Sequence, residues 1–385
     1  MTGKERFAAV MAHKTPDKFP LYIPTVACSV ASALLGRPVF TGADSLHFQE
    51  ELHLAKGEAA HREFVDKMIE DTVELLRHLR VDIVRQTWRS REKPTKQLDA
   101  HTLLFGDENG YYRIKRFFPE TQTYGVIKST YPAQRPEDVE AGIRAFLDEP
   151  DSLPTVESVQ KSLVDPLRLF DKMKDLQLGE IVPGGELGLG MTNPAELECA
   201  ILEPELLHAY FMKQCRSEIA EMHILADMGY TWMNGGNDMA SNMGPAYSPK
   251  LFDAIVAEPL RLFADACRAR GVVFCYRTDG NMWPVFDSMF NKAGVQAYGE
   301  VDRDAGMSVG KIRAANDDLL ILGNMSSAFL VKASVAEVRE ETRIQLEEAA
   351  GKNFIPGPSN AVVHGTPPEN LMAMVEEIER FGNGK

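Results

Sequence analysis

Eight short apolar segments alternate with helix-type segments along almost the whole chain. They occupy residues 19–25, 81–84, 179–185, 230–234, 271–277, 295–300, 319–324 and 353–356. Short runs of this composition are typical of buried parallel strands. Eight strands in alternation with helices favour an α/β fold of the (β/α)8 barrel (TIM barrel) type, and we predict one domain over residues 1–385. A doubly wound sheet would need a glycine-rich phosphate loop, and neither GxGxxG nor GxxxxGK[ST] occurs.

One stretch interrupts this alternation, around residues 98–130. It contains Asn109-Gly110 between β-type residues, which is the pattern of a tight hairpin turn. We therefore predict a β-hairpin inserted into the barrel. At the amino terminus Thr2 and Glu5 form a capping box, which predicts a short leading helix. One long helix is predicted over about residues 50–80.

Composition narrows the class of protein. The 385 residues carry a formal charge of −14 without any cluster of lysine and arginine, so nucleic acid is not an expected partner. No apolar run approaches the length of a membrane span, and the polar amino terminus does not resemble a secretory signal. Five cysteines without CxxC spacing suit reduced thiols. We expect a cytoplasmic protein.

The strand at 271–277 ends in the most informative polar residues. In a barrel, catalytic groups lie at the carboxyl ends of the strands. Arg277 and Asp279 follow the apolar run directly, and strand alternation places both on the same face as Cys275. The two charges are candidates for a catalytic pair, although a solvated ion pair without a catalytic role would have the same spacing.

Polar side chains also follow the other predicted strands. The predicted pocket is lined by Thr25, Gln86, Trp88, Glu186, Asn234, Asp238, Arg277, Asp279, Glu300, Asp302, Asn324, Ser359, Asn360 and His364. Because carboxylates outnumber the single arginine, this set favours a cationic or proton-donating ligand, a metal, or a carboxyl group of raised pKa. Simpler interpretations stay open: Asp238 and Asn324 as turn formers, His364 as a surface loop residue, and Glu300 as a solvated carboxylate.

Several motifs in chain order resemble the uroporphyrinogen decarboxylase superfamily. They include Lys4-Glu-Arg-Phe7, Asp238 followed by Ser248-Pro249, Arg277-Thr-Asp-Gly280, Gly323-Asn324 and Thr366-Pro-Pro-Glu-Asn370. The resemblance implies a (β/α)8 barrel, in agreement with the strand count. Members of the superfamily include heme-pathway decarboxylases and corrinoid-dependent methyltransferases.

The region after the first strand separates these two branches. The decarboxylases carry an arginine-rich segment there that binds substrate carboxylates. In this chain the region has no arginine before Arg37, and residues 35–46 look more like the methyltransferase branch, particularly the O-demethylase systems. The resemblance therefore implies transfer of a methyl group from a small, methoxylated aromatic donor to a corrinoid (cobalamin) cofactor carried by a partner protein.

A second departure concerns zinc. Thiol-methylating members of the branch hold zinc through a His-x-Cys pair after the fifth strand and a cysteine after the eighth. The matching positions here are Arg277, Asp279 and Asn360, and arginine cannot serve as a ligand. We therefore predict no thiolate zinc site and no metal ligand. Cys275 lies nearby but has no partner ligands in the sequence.

The resemblance and the strand-end positions together assign roles to individual residues. Arg277 would stabilise the departing oxygen and Asp279 would hold its guanidinium in place, while Asp238 or His364 would supply a proton. The predicted substrate-binding residues are Trp88, Glu186, Asn234, Tyr276, Asn324 and Asn360.

Two other functions remain open on the sequence. The chain could be a decarboxylase or lyase acting on a small carboxylic acid, with Arg277 binding the carboxylate and Asp238 protonating the product. It could also be a non-catalytic binder of a corrinoid or tetrapyrrole. A homodimer is expected on general grounds.

Overall fold

The computed structural model describes residues 1–382. Its strands are β1 Ile83–Arg85, β2 Lys96–Asp99, β3 Thr102–Gly106, β4 Tyr112–Phe118, β5 Thr123–Ser129, β6 Gly179–Pro183, β7 Trp232–Gly235, β8 Ala240–Ser241, β9 Gly244–Pro245, β10 Val273–Arg277, β11 Ala297–Gly299, β12 Leu320–Leu322 and β13 Phe354–Ile355. Its helices are α1 Gly3–Met11, α2 Cys28–Leu35, α3 Ala43–Lys56, α4 Glu58–His78, α5 Pro136–Asp148, α6 Val156–Ser162, α7 Val164–Met173, α8 Pro194–Leu202, α9 Pro204–Asp227, α10 Pro249–Ile255, α11 Ala257–Ala269, α12 Val309–Ala315, α13 Ser327–Lys332, α14 Val335–Glu348 and α15 Pro368–Gly382. None of the helices within residues 1–382 combines the length and apolar character needed to cross a membrane.

A curled sheet of parallel strands forms the centre of the fold. Its order is β1-β6-β7-β10-β11-β12-β13. The first predicted strand lies between the two edges of this sheet. The Asp82 amide donates a hydrogen bond to the Leu21 carbonyl at 2.9 Å, and the Tyr22 amide donates to the Pro356 carbonyl at 3.2 Å. The predicted barrel is confirmed, with residues 19–25 in the eighth position.

The segment at residues 19–25 does not form a regular strand. Pro20 and Pro24 have no backbone N–H, so the segment cannot complete a ladder of hydrogen bonds. It makes isolated bridges instead, from Tyr22 to Ile83 and from Val26 to Val362. The carbonyl of Tyr22 also lies against Gly357, where an added Cβ would meet that oxygen at 1.9 Å.

Alternate side chains of the strands fill the barrel interior. They include Tyr22, Ile83, Ile181, Trp232, Cys275, Ala297, Leu320 and Ile355, all buried. Helix α1 closes the amino-terminal end, because Phe7 and Val10 join this cluster and the Phe7 ring lies 5.0 Å from that of Trp232. The capping box of Thr2 and Glu5 is present. Within residues 1–382, α1 therefore covers the amino-terminal end, and the carboxyl ends of the strands form the open side of the barrel.

Two element predictions were incomplete or wrong. The insertion is a four-stranded antiparallel sheet of order β2-β3-β4-β5, and the predicted Asn109-Gly110 hairpin is its β3–β4 connection. It packs on α3, with the Phe48 and Phe117 rings stacked at 4.8 Å.

The single helix predicted over residues 50–80 is two helices, α3 and α4. Gly57 separates them with φ +109°, a backbone conformation that interrupts a helix.

Candidate active site

A cavity of about 800 Å³ opens at the carboxyl ends of the barrel strands. Its lower walls come from the ends of β1, β6, β7, β10 and β11. Its upper walls come from residues 43–47 at the start of α3 and from residues 121–123 in the turn between β4 and β5. The inserted sheet is therefore part of the site, because its turn borders the cavity.

An ion pair lies in the wall of this cavity. Arg277, the last residue of β10, donates a hydrogen bond from Nη1 to Oε1 of Glu300 at 2.9 Å, and Glu186 lies 4.0 Å from Nη2. Burial by itself would lower the pKa of Arg277, but Glu300 and Glu186 raise that pKa above its usual value. The site therefore contains a fixed positive charge. The prediction that Asp279 holds the guanidinium is wrong, because Glu300 holds it.

Local backbone geometry explains this choice of partner. Arg277 is in register with Gly299, the residue before Glu300. A Cβ at Gly299 would lie 3.2 Å from Cγ of Arg277, so the glycine leaves room for the arginine stem. Glu300 has φ +61°, a strained conformation for a side chain larger than glycine. Such strain at the end of a barrel strand is common at functional sites.

Asp279 instead pairs with Asn360. The Asn360 amide donates from Nδ2 to Oδ2 of Asp279 at 2.8 Å. Burial, followed by the charge of Glu300, raises the pKa of Asp279 to about 7, although the Asn360 hydrogen bond opposes the rise. One oxygen each from Asp238, Asp279 and Glu300 lies within 4.8 Å of the others. Asp279 is therefore a carboxyl group that can carry a proton near neutral pH beside the cavity.

The same three carboxylates are the residues best arranged for a metal. Within residues 1–382 they are the one group of three or more His, Cys, Asp or Glu side chains close enough to share an ion. Because all the donors are oxygens, the group would suit a hard cation rather than a zinc ion that activates a thiol. Glu300 already has a cation in the Arg277 guanidinium. Cys275 is fully buried in the barrel interior, and burial strongly raises the pKa of its thiol.

Several other predicted residues line the cavity. Trp88 is 71% exposed at its rim, with its ring 5.3 Å from that of His47. His364 also lies at the rim and shares a hydrogen bond of 2.9 Å with the Ser29 hydroxyl. Asn234 is only 5% exposed; its Oδ1 accepts from Nε1 of Trp232 at 2.6 Å. Its Nδ2 has no partner within the described residues, so it can donate to a ligand.

Two predicted substrate-binding residues do not reach the cavity. Tyr276 alternates with the inward-facing Cys275 and Arg277, so it faces outward and is buried beside Phe274 in the layer between strands and helices. Asn324 is also buried. Its Nδ2 donates to the carbonyls of Val301 at 3.1 Å and Met307 at 3.0 Å, which fixes the connections after β11 and β12.

The sequence analysis missed Arg85, which also lines the cavity. It is the last residue of β1, and strand alternation from the inward-facing Ile83 would have identified it. Its Nε donates to the Pro24 carbonyl at 3.2 Å and its Nη2 to the Thr25 hydroxyl at 3.3 Å. The prediction that the pocket holds a single arginine is therefore wrong.

Comparison with known families identifies the class of protein. Residues 197–381 match the model of the family described as Uroporphyrinogen decarboxylase (URO-D). This range contains β10 with Arg277, the trio of carboxylates and Asn360. The carboxyl-terminal part of the chain, from α8 to α15, therefore matches this family, in agreement with the resemblance of the strand-end motifs. No curated protein matches its sequence.

Among solved structures, the chain is similar to a methyltransferase from Methanosarcina mazei. The two share 17% sequence identity with a TM-score of 0.64, and the match covers 99% of each chain. The likeness establishes that the whole chain has the fold of that structure. Two more distant matches are a D-psicose 3-epimerase from Clostridium cellulolyticum H10 (13% identity, TM-score 0.32, 64% of this chain and 93% of that chain) and a xylose isomerase-like TIM barrel protein from Mycobacterium smegmatis (12% identity, TM-score 0.32, 65% and 90%). Neither of these two bears on function.

Proposed function

We propose that the chain is a methyltransferase that moves a methyl group from a small methoxylated aromatic donor to a corrinoid carried by a partner protein. The observation that carries the proposal is the combination of a fixed guanidinium, Arg277 with Glu300, in the cavity wall and a protonatable carboxyl group, Asp279, directly behind it, where it is hydrogen-bonded to the lining residue Asn360. Cleavage of an ether bond is assisted by a positive charge or a proton beside the departing oxygen, and Arg277 and Asp279 would supply one each. The match of residues 197–381 to the family model and the fold shared with a methyltransferase support the same class of reaction.

Arg277 stabilises the oxygen as it gains negative charge. The guanidinium is held by Glu300 at 2.9 Å, so little reorganisation is needed when charge develops on the donor. Asn234 complements it from the neighbouring strand β7, because this residue also lines the cavity and its Nδ2 has no hydrogen-bond partner among the described residues. The Arg277 role proposed here is the one that its strand-end position predicts.

Asp279 supplies the proton in this proposal, in place of Asp238 or His364. Asp279 is more buried than Asp238, and its hydrogen bond from Asn360 at 2.8 Å fixes the side chain. Its raised pKa keeps a large fraction of it protonated at neutral pH. His364 is exposed at the rim, and its Nδ1 is already engaged with the Ser29 hydroxyl.

The reaction balances with these groups. The methyl carbon–oxygen bond breaks, its electron pair remains on the oxygen, and that oxygen takes the proton of Asp279. A reduced corrinoid, when presented by the partner, would supply the electron pair for the new bond to the methyl carbon. The protein binds and orients the donor and keeps the ether oxygen beside Arg277.

The shape of the cavity is compatible with an acceptor on a second protein. A volume of about 800 Å³ holds a single-ring donor with room to spare, and the open mouth leaves the methyl group accessible from outside. The exposed Trp88 at the rim offers an aromatic contact for the docking partner. We place the reaction in the cytoplasm, where a corrinoid can be kept reduced.

The test is a spectroscopic assay of methyl transfer. The purified chain is incubated under reducing conditions with free cobalamin and a panel of methoxybenzenes and methoxybenzoates, and the cobalt absorption is followed. A donor-dependent spectral change together with release of the demethylated phenol in equal amount would support the proposal. Arg277→Gln and Asp279→Asn should slow it by ~100-fold or more. Arg261→Gln, in an exposed pair with Asp265 on α11, should leave it unchanged.

Other outcomes would favour the two alternatives. Release of carbon dioxide from a small acid, without any change in cobalt absorption, would indicate a decarboxylase. In that case Arg277 would have to bind a carboxylate although Glu300 already neutralises it. Binding of cobalamin without turnover of any donor would indicate a non-catalytic corrinoid binder.

A further inference from the structure

Arg85 differs from the other arginines of the same segment. Arg89 pairs with Glu50 and Asp165, and Arg91 pairs with Asp165 at 3.1 Å. Arg85 has no carboxylate within 4.0 Å among residues 1–382, although several acidic residues line the same cavity. Its hydrogen bonds there, to Pro24 and Thr25, are 3.2 and 3.3 Å long and use two of the five N–H groups of an arginine.

The two arginines of the cavity therefore have different electrostatic environments. The charge of Arg277 is balanced by Glu300 at 2.9 Å and Glu186 at 4.0 Å. The charge of Arg85 is not balanced by any ion pair in the described structure. Both guanidinium groups act on the buried hydroxyl of Tyr22: burial raises its pKa, and Arg85 and Arg277 oppose that rise. Both arginines are therefore near enough to Tyr22 to affect the same hydroxyl group.

We infer that Arg85 is a specificity-determining residue that binds a carboxylate group of the methyl donor. The planar guanidinium matches a carboxylate through two parallel hydrogen bonds, and a partly buried, unpaired arginine favours an anion strongly. The donor would then span the cavity that both arginines line, with its carboxylate at Arg85 and its methoxy group at Arg277. The identity of the donor as a methoxybenzoate rests on the proposed function, but the recognition of a carboxylate rests on Arg85 alone.

The test compares carboxylates with neutral amides of the same shape. The three isomers of hydroxybenzoate and the three matching hydroxybenzamides are titrated into the protein by calorimetry, without cobalamin. We expect the best hydroxybenzoate to bind at least ~10-fold more tightly than its amide, the usual effect of a hydrogen-bonded charge pair. Arg85→Gln should reduce that ratio to less than about twofold, and Arg85→Lys should give an intermediate ratio.

A control variant separates recognition from folding. Arg91→Gln removes an exposed arginine of the same segment that does not line the cavity, and it should leave the ratio unchanged. A purely structural role for Arg85, through Pro24 and Thr25, would weaken both ligands of a pair equally. The inference is overturned if no wild-type pair favours the carboxylate, or if Arg85→Gln keeps the preference.

The proposed function is judged by a different readout. If the carboxylate preference depends on Arg85 but no methoxybenzoate donates its methyl group to cobalamin, the proposed function fails and the inference stands. If methoxybenzoates and methoxybenzamides are demethylated at the same rate, and bind equally, only the inference fails.

Discussion

The guanidinium of Arg277 and the carboxylate of Glu300 form an ion pair of 2.9 Å across the ends of two neighbouring strands, β10 and β11. Glu300 follows Gly299, the residue in register with Arg277, so the pair is fixed by the pairing of the strands themselves. Both side chains are largely buried, with 26% and 13% of their surfaces exposed. This relationship makes the arginine a rigid charge in the cavity wall.

We expect the pair to be strongly coupled. Arg277→Met should lower the free energy of unfolding by about 2–4 kcal/mol, because it leaves the charge of Glu300 buried without a partner. The double variant Arg277→Met with Glu300→Gln should recover part of that loss, since neither charge then remains. Urea denaturation of the wild type, both single variants and the double variant measures the coupling. A double variant as unstable as the sum of the single variants would contradict it.

Asp279 should make both activity and stability depend on pH near neutrality. If it donates a proton, methyl transfer should fall as the pH rises through about 7, the pKa to which burial and Glu300 raise it. Asp279→Asn should slow transfer by ~100-fold or more and remove this fall from the residual rate. The measurement is the rate of methyl transfer by the wild type and by the variant between pH 5.5 and 8.5. This range extends about 1.5 pH units to each side of the expected pKa.

The stability of the same variant has a defined sign. Folded Asp279 keeps its proton up to about pH 7, whereas in the unfolded chain an aspartate loses it near pH 4. The contribution of Asp279 to stability therefore falls as the pH rises from about 4 to about 7. Asp279→Asn should lack this fall, and at pH 8 it should be more stable than the wild type by about 2 kcal/mol. Asp265→Asn, at an exposed pair with Arg268, should show no such difference.

The inserted sheet should depend on a buried carboxylate in α3. Glu51 is fully buried and accepts hydrogen bonds from Lys115 at 2.7 Å, from the Tyr124 hydroxyl and from Ser90. Glu51→Leu removes the acceptor of these three donors, leaves Lys115 with Glu92 alone at 2.9 Å, and should destabilise the protein by about 3–5 kcal/mol. The matched control is Glu108→Gln.

Glu108 lies in an exposed pair with Lys96 on the same inserted sheet, at 3.1 Å. Its replacement should change the free energy of unfolding by less than about 1 kcal/mol. Thermal or urea unfolding distinguishes the two variants. Equal effects at Glu51 and Glu108 would show that the buried network does not attach the sheet to the barrel.

Cys275 should be dispensable for methyl transfer. Burial strongly raises the pKa of its thiol, so it stays protonated and unreactive in the folded protein. We expect slow labelling of native protein by a thiol reagent, full activity in Cys275→Ala, and no loss of activity after dialysis against a chelator. Loss of activity in Cys275→Ala, together with zinc in the purified protein by elemental analysis, would point to a thiolate site instead.

Strand alternation predicted much of the barrel and part of the site. The position of Arg277 on the inward face, beside Cys275, followed from a period of two along β10. The same rule, applied consistently, would have placed Tyr276 outside the cavity and Arg85 inside it. A polar or aromatic residue near a strand end therefore lines the pocket only when its place in the alternation faces the barrel interior.

Other features depended on contacts that no local pattern encodes. Asn324 follows β12 and Gly323, where φ values of +114° and +102° end the extended conformation and turn the asparagine into the core. The choice of Glu300 rather than Asp279 as partner of Arg277 likewise depends on an unusual backbone at Glu300, with φ +61°. The boundary between α3 and α4 at Gly57 could have been predicted from the sequence, because a glycine inside a helix lowers the stability of that helix.

The turn at residues 121–123 borders the cavity but belongs to the inserted sheet, while Arg277, Glu300 and Asp279 belong to the barrel. Lengthening or replacing this turn would therefore change which molecules can enter without moving the reactive groups. In the evolution of such a chain, donor range and bond-breaking chemistry can diverge independently, and exchange of the β4–β5 turn is a practical route to engineering the first while preserving the second.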